Sequence, residues 1–104
     1  MGTVDKLEQI KARLQAIGWN NFSIINEDGC YKLNACYENT MWYLFVYFID
    51  DSTYTVEIEM NGMLLVDEVY HMTSDVRNAL STDRFKTFAI DKHYIVAYSK
   101  GEWI

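Results

Sequence analysis

Two glutamates with strand spacing are the side chains of this sequence that come nearest to a catalytic arrangement. Glu57 and Glu59 would point to one side of a β-strand, about 6.6 Å apart. Glu68 would lie on the next strand, roughly diagonal to Glu57. Two carboxylates at such a separation can act as the acid and base of a glycosidase, but that chemistry needs a cleft and one carboxyl group of raised pKa. The face of a hairpin supplies neither, so we expect no catalytic residues and no enzyme.

The same three glutamates have two simpler interpretations. Alternation of polar and apolar residues alone would place glutamates on the solvated face of a sheet. Alternatively, they form an acidic surface that binds a partner, with Asp50 and Asp51 at its rim. These two aspartates also fit a turn, where Asp is favoured because its side chain bonds the local backbone.

The cysteines and histidines form no metal or nucleophile motif. Cys30 and Cys36 are near the two ends of one predicted strand, about 20 Å apart, which is beyond disulfide reach and predicts free thiols. Together with His71 and His93 they show no spacing typical of a zinc site or of a Cys–His pair. The five glycines stand singly, which disfavours a phosphate-binding loop. We therefore expect no metal and no other cofactor.

Negative charge is concentrated in the middle of the chain. Residues 18–71 hold nine carboxylates and a single basic residue, Lys32, whereas residues 1–17 and 72–104 each carry a net charge of +1. The formal charge of −6 therefore arises from the part that is richest in strand patterns. A field of one sign on a rigid face attracts a basic partner and repels nucleic acid. The C-terminal third mixes basic and aromatic residues, but its acids nearly cancel its bases, so direct nucleic-acid binding is not expected.

The elements that would position these residues follow from periodicity and turn signals. Apolar residues at spacings of three and four predict an amphipathic helix over 3–17 that ends before Gly18. Four turn signals follow, and the Asp-Gly pair at 28–29 and the Asn-Gly pair at 61–62 are the strongest of them. They predict a five-stranded antiparallel meander, with the N-terminal helix packed on its apolar face.

The turns also set the pairing of the strands, and hence which residues share a face. The expected pairs are Ile24 with Leu33, Leu33 with Phe45, Phe45 with Ile58, and Ile58 with Leu65. A slip of one residue would turn a strand over, so the continuous apolar face that results supports the whole set. Asp67 would also lie on this apolar face, where an unpaired charge is costly, so we expect a bulge near Val66 or a buried partner.

The opposite face is expected to combine the glutamates with an apolar patch on the central strand. That patch consists of Trp42, Leu44, Val46 and Phe48. It is larger than a monomer usually leaves bare, so the C-terminal segment or a second copy of the chain should cover it. Trp103, beside the C-terminus, would be the end of a docked strand or an exposed anchor of such an interface.

The last third of the chain predicts a short helix and a final β-hairpin. The helix would start at Thr73 or Ser74 and end at Leu80. The hairpin would consist of residues 85–90 and 93–98, and both of its faces are apolar, which indicates an interior or interfacial position. The pattern leaves open whether this hairpin extends the meander or folds over its second face.

These observations predict one α+β domain over residues 1–104. The first residues lack an apolar signal region, and no apolar run reaches the ~20 residues of a membrane span, so we expect a cytoplasmic protein that does not contact membranes.

The functional prediction is a small acidic binding module without catalytic activity. It would be an inhibitor that engages a basic, nucleic-acid-binding surface of a partner protein, and anti-CRISPR and toxin-immunity proteins are analogies of class for that action. The alternative is a homodimeric structural or small-ligand-binding domain that uses the aromatic sheet face.

Overall fold

Six strands and two helices make up the part of the chain that the structure describes. The structure is a computed structural model, and it describes residues 2–38, 40–61, 66–91 and 94–103. The elements are α1 (Thr3–Gln15), β1 (Trp19–Glu27), β2 (Cys30–Tyr37), β3 (Trp42–Phe48), β4 (Thr53–Asn61), α2 (Val66–Leu80), β5 (Lys86–Asp91) and β6 (Tyr94–Glu102). The strands form one antiparallel sheet in the order β1-β2-β3-β4-β6-β5. The predicted α+β class with an antiparallel sheet is confirmed.

Both helices cover the same face of the sheet, which we call the inner face. α1 buries Leu7, Ile10 and Leu14, whose spacing of three and four residues places them on one side of the helix. These side chains share a core with the buried residues of the inner face and with α2. The Tyr54 hydroxyl on β4 donates a hydrogen bond to the Leu80 carbonyl at the end of α2, so the sheet and the second helix are joined directly.

The first helix follows the sequence prediction closely. It begins at residue 3, as expected, and ends at Gln15, two residues earlier than expected. Gly18 has a φ of 103°, a conformation that residues with a side chain rarely adopt, and a Cβ there would lie 2.9 Å from the Tyr37 ring. The predicted glycine terminator is therefore confirmed, and β1 starts directly after it.

The predicted fifth strand of the meander is wrong. Residues from Val66 onwards form α2, and the expected partners Met63 and Leu65 lie outside the described residues. Half-buried or buried residues recur at helical spacing along α2, namely Val69, Thr73, Val76 and Leu80. The predicted short helix thus begins at least seven residues earlier than Thr73, since the apolar run before it was assigned to a strand.

Asp67 and Glu68 consequently have a different environment from the one predicted. Both lie in the first turn of α2, and both are exposed. A carboxylate is stabilised there by the positive end of the helix dipole. The expected burial of Asp67 on an apolar face, with a bulge or a buried partner, is therefore wrong.

The central strand β3 has the opposite orientation to the predicted one. The pairing of β1 with β2 places Ile24 opposite Leu33, as expected, but Leu33 lies opposite Val46 instead of Phe45. Ile58 likewise lies opposite Leu44 instead of Phe45. The loop between β2 and β3 has four residues, not three. The next turn is closed by the Ile49 N–H, which donates to the Thr53 carbonyl, so three residues (50–52) lie within this turn rather than two.

The final hairpin extends the sheet. β6 pairs with β4 along its whole length, from Thr53 opposite Glu102 to Asn61 opposite Tyr94. β5 is then the edge strand, and its Phe88 and Ile90 side chains are 57% and 64% exposed. The hairpin was predicted to be interior or interfacial; the interior alternative is wrong for β5, and the interfacial one stays a prediction. Lys92 and His93 lie outside the described residues.

Candidate functional site

The outer face of the sheet, opposite the helices, carries Glu57 and Glu59 near its centre. Both glutamates belong to β4, whose alternate residues Val56, Ile58 and Met60 are fully buried on the inner face. Strand geometry therefore directs the two carboxylates together to the outer side, as the sequence predicted. Both side chains are half-buried, although no described helix covers this face.

Aromatic residues flank Glu57 on both neighbouring strands and Glu59 on one of them. On β3, Phe45 lies opposite Glu57 and Tyr43 lies opposite Glu59. On β6, Tyr98 lies opposite Glu57, whereas Val96 lies opposite Glu59. We call Glu57 and Glu59, together with their aromatic neighbours on the outer face, the acidic trough; those neighbours are Tyr43, Phe45, Tyr47, Tyr94 and Tyr98.

The width of the acidic trough suits a cation. Adjacent strands lie about 4.8 Å apart, so Phe45 on β3 and Tyr98 on β6 are about 10 Å apart across Glu57. A cationic group above Glu57 would thus be about 5 Å from each of these two residues, and cation–π attraction operates within about 6 Å of a ring centre. Lys32 shows the same contact within the chain, because its Nζ lies 5.3 Å from the centre of the Phe45 ring and 5.5 Å from that of Tyr47.

Two tyrosine hydroxyls interact with the carboxylates, and one of them makes a well-defined hydrogen bond. The Tyr47 hydroxyl donates a hydrogen bond to Glu57 Oε1 at 3.1 Å, and burial together with the negative charge of Glu57 raises the pKa of Tyr47. Hydrogen bonding to the Glu59 carboxylate, assisted by burial, raises the pKa of Tyr94. Both shifts have the direction expected where negative charge is concentrated.

The carboxylates of the trough lack a basic partner within the described chain. The one ion pair among the described residues joins Lys11 to Glu8 on α1, at 3.8 Å. Lysines do lie on the outer face, beside the glutamates but not paired with them: Lys32 lies over the Phe45 and Tyr47 rings, Lys100 is opposite Thr55, and Lys86 is opposite Tyr98. The outer face therefore has a negative centre with positive groups around it, not the uniformly negative surface that segment charges predicted.

The remaining acidic residues of the predicted surface lie elsewhere. Glu68 is on α2, in the helical layer behind the sheet, so it does not join Glu57 as the predicted meander required. Asp50 and Asp51 lie in the turn between β3 and β4. Asp50 Oδ1 accepts hydrogen bonds from the backbone N–H groups of Ser52 and Thr53, at 2.9 and 2.8 Å, and these bonds lower the pKa of Asp50. This is the turn chemistry that the sequence indicated.

The predicted apolar patch of β3 is largely inside the protein. Trp42, Leu44 and Val46 are buried beneath the helices, with exposed fractions of 7%, 0% and 0%. The assignment of these three side chains to the face opposite the N-terminal helix is therefore wrong, because the strand is turned over. Phe48 is half-buried at the end of the same inner row, and its ring centre is 6.2 Å from that of Trp103. Trp103 is thus held at the end of β6, and Arg13 lies over its ring.

Sequence reasoning missed the aromatic residues of the trough. The predicted pairing places Phe45 on the apolar face, and it predicts an interior or interfacial position for the hairpin that contains Tyr94 and Tyr98. Trp42, Leu44 and Val46 alternate along β3 with Tyr43, Phe45 and Tyr47. The signal that could have found the second set is its two tyrosine hydroxyls, because a hydroxyl favours partial exposure. The tyrosine-bearing side of β3 is the side that faces solvent.

Other candidate chemistry can be assessed within the same part of the chain. Among the described residues, no group of three or more His, Cys, Asp or Glu side chains is placed to hold a metal ion. The two cysteines are free thiols, Cys30 exposed and Cys36 half-buried, and His71 is exposed on α2. His93 lies outside the described residues. No described helix combines the length and the apolar character needed to cross a membrane.

Comparisons with known proteins add no relatives to this picture. The chain matches no protein-family model, and searches of the curated proteins and of the solved structures return no significant match.

Proposed function

We propose that this protein is a binding module without catalytic activity, and that its acidic trough engages a basic surface of a partner protein. The observation that carries the proposal is the position of Glu57 between Phe45 and Tyr98, with Glu59 beside Tyr43, on the sheet face opposite the described helices. Neither carboxylate has a Lys or Arg partner among the described residues. A lysine or arginine of a partner would supply the missing positive charge and would contact the rings as well.

The mode of action we propose is inhibition. A protein that uses basic residues to hold nucleic acid presents a row of Lys and Arg side chains. Carboxylates that occupy these side chains exclude the phosphate backbone, so a protein bound through the trough would block the nucleic-acid site of its partner. The trough repels nucleic acid itself, since its central charge is negative.

The spacing of the glutamates adds a detail about the partner. Side chains two residues apart on an extended strand are about 6.6 Å apart, which is the separation of Glu57 and Glu59 along β4. A partner segment in extended conformation, with basic residues at alternate positions, would therefore match both carboxylates at once.

The test is a pull-down followed by affinity measurements on the captured protein. Wild-type protein, a Glu57→Gln/Glu59→Gln variant and an Asp50→Asn/Asp51→Asn variant serve as baits in a cell lysate, and the two variants lose the same formal charge. We expect a basic protein that the wild type and the turn variant capture and the trough variant does not. Its affinity should fall as the salt concentration rises, and added nucleic acid should compete. Equal capture by both variants would refute the proposal.

A homodimer through the outer face is the second candidate. The side chains of Ile25, Tyr43 and Phe88 on this face are 40%, 38% and 57% exposed, which leaves apolar surface uncovered. A two-fold interface centred on the trough would bring the carboxylates of both copies together, and like charges facing each other across an interface are costly. Sedimentation velocity over a wide concentration range decides the matter: a monomer at all concentrations excludes the dimer.

A further inference from the structure

A groove of about 640 Å³ lies on the other side of the sheet, between α2 and the inner face of β5 and β6. Pockets of about 300–1,000 Å³ are the usual size for small-molecule ligands. One wall is formed by α2, through Tyr70, Ser74 and Arg77 among others, and the other wall by residues before and within the last two strands, including Arg84 and Phe85. We call this cavity the α2–β5 groove.

The two arginines lie at the same end of the α2–β5 groove. The chain turns back after α2, and the Thr82 N–H donates a hydrogen bond of 3.2 Å to the Arg77 carbonyl. Arg84 follows two residues later, so both arginines line the groove near the point where the helix stops. Both arginines are exposed, and neither has a carboxylate within ion-pair distance among the described residues.

Hydroxyl groups lie next to this positive end. Ser74 precedes Arg77 by three residues and therefore lies on the same side of α2. Thr87 is on the inner side of β5, two residues after Phe85. Neither hydroxyl makes a hydrogen bond to another described residue, so both can bond an oxyanion held by the arginines.

The rest of the groove is apolar and partly aromatic. Val69 and Tyr70 from α2 face Phe85 and Ile95 of the strands. The Tyr70 side chain is 69% exposed, although it is large and mostly apolar. A flat apolar group that entered the groove would bury the Tyr70 ring against it, and aromatic rings gain from such contact beyond the area that is buried.

We propose that the α2–β5 groove binds a small organic phosphate, with the phosphate on Arg77 and Arg84 and an aromatic part between Tyr70 and Phe85. Arginine is suited to a phosphate because its planar guanidinium can donate two parallel hydrogen bonds. A phosphate monoester carries a charge of about −1.5 to −2 at neutral pH, which balances two guanidinium groups better than the single charge of a carboxylate. The site is separate from the acidic trough, which lies on the opposite face of the sheet.

The experiment uses phenyl phosphate as the probe, titrated into ¹⁵N-labelled full-length protein and followed by NMR. We expect saturable shifts of the amides and arginine Nε–H groups around the groove. An Arg77→Gln/Arg84→Gln variant should bind at least about tenfold more weakly, a change equivalent to 1.4 kcal/mol. A Lys86→Gln/Lys100→Gln variant removes the same charge from the outer face and should bind like the wild type.

Three further probes separate the parts of the proposal. Phenol tests the aromatic wall without the phosphate, inorganic phosphate tests the arginines without the aromatic group, and benzoate tests a single negative charge. Each should bind more weakly than phenyl phosphate. The proposal is overturned if phenyl phosphate gives no saturable shifts, if any of the three binds as tightly, or if both arginine and lysine variants lose affinity equally. Circular dichroism and thermal unfolding of each variant confirm that it is folded, and the single variant Arg84→Gln replaces the double variant if that fails to fold.

Discussion

The two faces of one sheet differ in what they contribute to this protein. β4 belongs to both: its residues Val56, Ile58 and Met60 are completely buried under the helices, whereas Glu57 and Glu59 lie beside aromatic residues on the side opposite the described helices. The inner face holds the core that joins the strands to α1 and α2. The side chains of the outer face do not form this core, so they can contact a partner with little effect on the stability of the fold.

Charge follows the same division. The outer face has two carboxylates at its centre, with no Lys or Arg partner among the described residues. On the inner side, the α2–β5 groove is lined by two arginines, Arg77 on α2 and Arg84 just before β5. A protein with a net charge of −6 thus presents a negative site to one side and a positive site to the other. The two proposed ligands, a basic protein surface and an organic phosphate, would not compete for the same residues.

Of the substitutions that distinguish the two faces, one in the core should cause the largest loss of stability. Ile58→Ala removes a fully buried side chain between the sheet and the helices, which should lower the free energy of unfolding by about 2–5 kcal/mol. Glu57→Gln changes the neighbouring residue on the outer face, and its effect should stay within about 0.5 kcal/mol. Urea unfolding of both variants measures the difference. Similar losses in the two variants would show that the outer face also holds the fold together.

An intermediate effect is expected from the tyrosines that mark the two faces. Tyr54→Phe removes the hydroxyl that bonds the Leu80 carbonyl and leaves this buried acceptor unpaired, which should cost about 1–3 kcal/mol. Tyr94→Phe removes the hydroxyl that bonds the Glu59 carboxylate, and the cost should be smaller because water can replace it. Thermal unfolding of the two variants checks this order. A greater loss in Tyr94→Phe would reverse the assignment of stability to the inner face.

The smallest effect concerns the titration of Tyr47. Burial and Glu57 raise the pKa of this tyrosine, so Glu57→Gln should lower its pKa towards the ordinary value of 10.0 without reaching it, since burial remains. A raised pKa in the folded state stabilises the protein fully below the unfolded value, and this stabilisation is lost as the pH rises through the folded value. We therefore expect Glu57→Gln to lose less stability than the wild type when the pH is raised above 10.0.

The measurement is the phenolate signal of Tyr47 by NMR, together with urea unfolding at several alkaline pH values. Asp51→Asn is the control, because it removes the same formal charge from the β3–β4 turn. An unchanged Tyr47 pKa in Glu57→Gln, or an equal change in Asp51→Asn, would contradict a specific interaction within the acidic trough.

Local patterns were sufficient where polar and apolar residues alternate. β2 and β4 have such alternation, so the sequence places Leu33 and Ile58 in the core and Glu57 on the other face, and the structure agrees. β3 has apolar residues on both sides, and its orientation depends on the number of residues in the turns before and after it. The predicted loop before β3 is one residue too short, which turns β3 over. The predicted turn after β3 is also one residue too short, and this second error returns β4 to the correct face.

Local sequence patterns are sufficient to specify the first helix, the order and antiparallel pairing of the first four strands, and the common side of Glu57 and Glu59. Helical periodicity, turn residues and strand alternation are local, and each fixes a few neighbouring residues. Three further features are seen only in the tertiary structure: which side of β3 is buried, that the residues from Val66 form a helix, and that β6 pairs with β4. These depend on contacts between distant segments, since a strand that is apolar on both sides takes its orientation from the core it meets. The acidic trough exists only because β3 and β6 pair with β4 in that register.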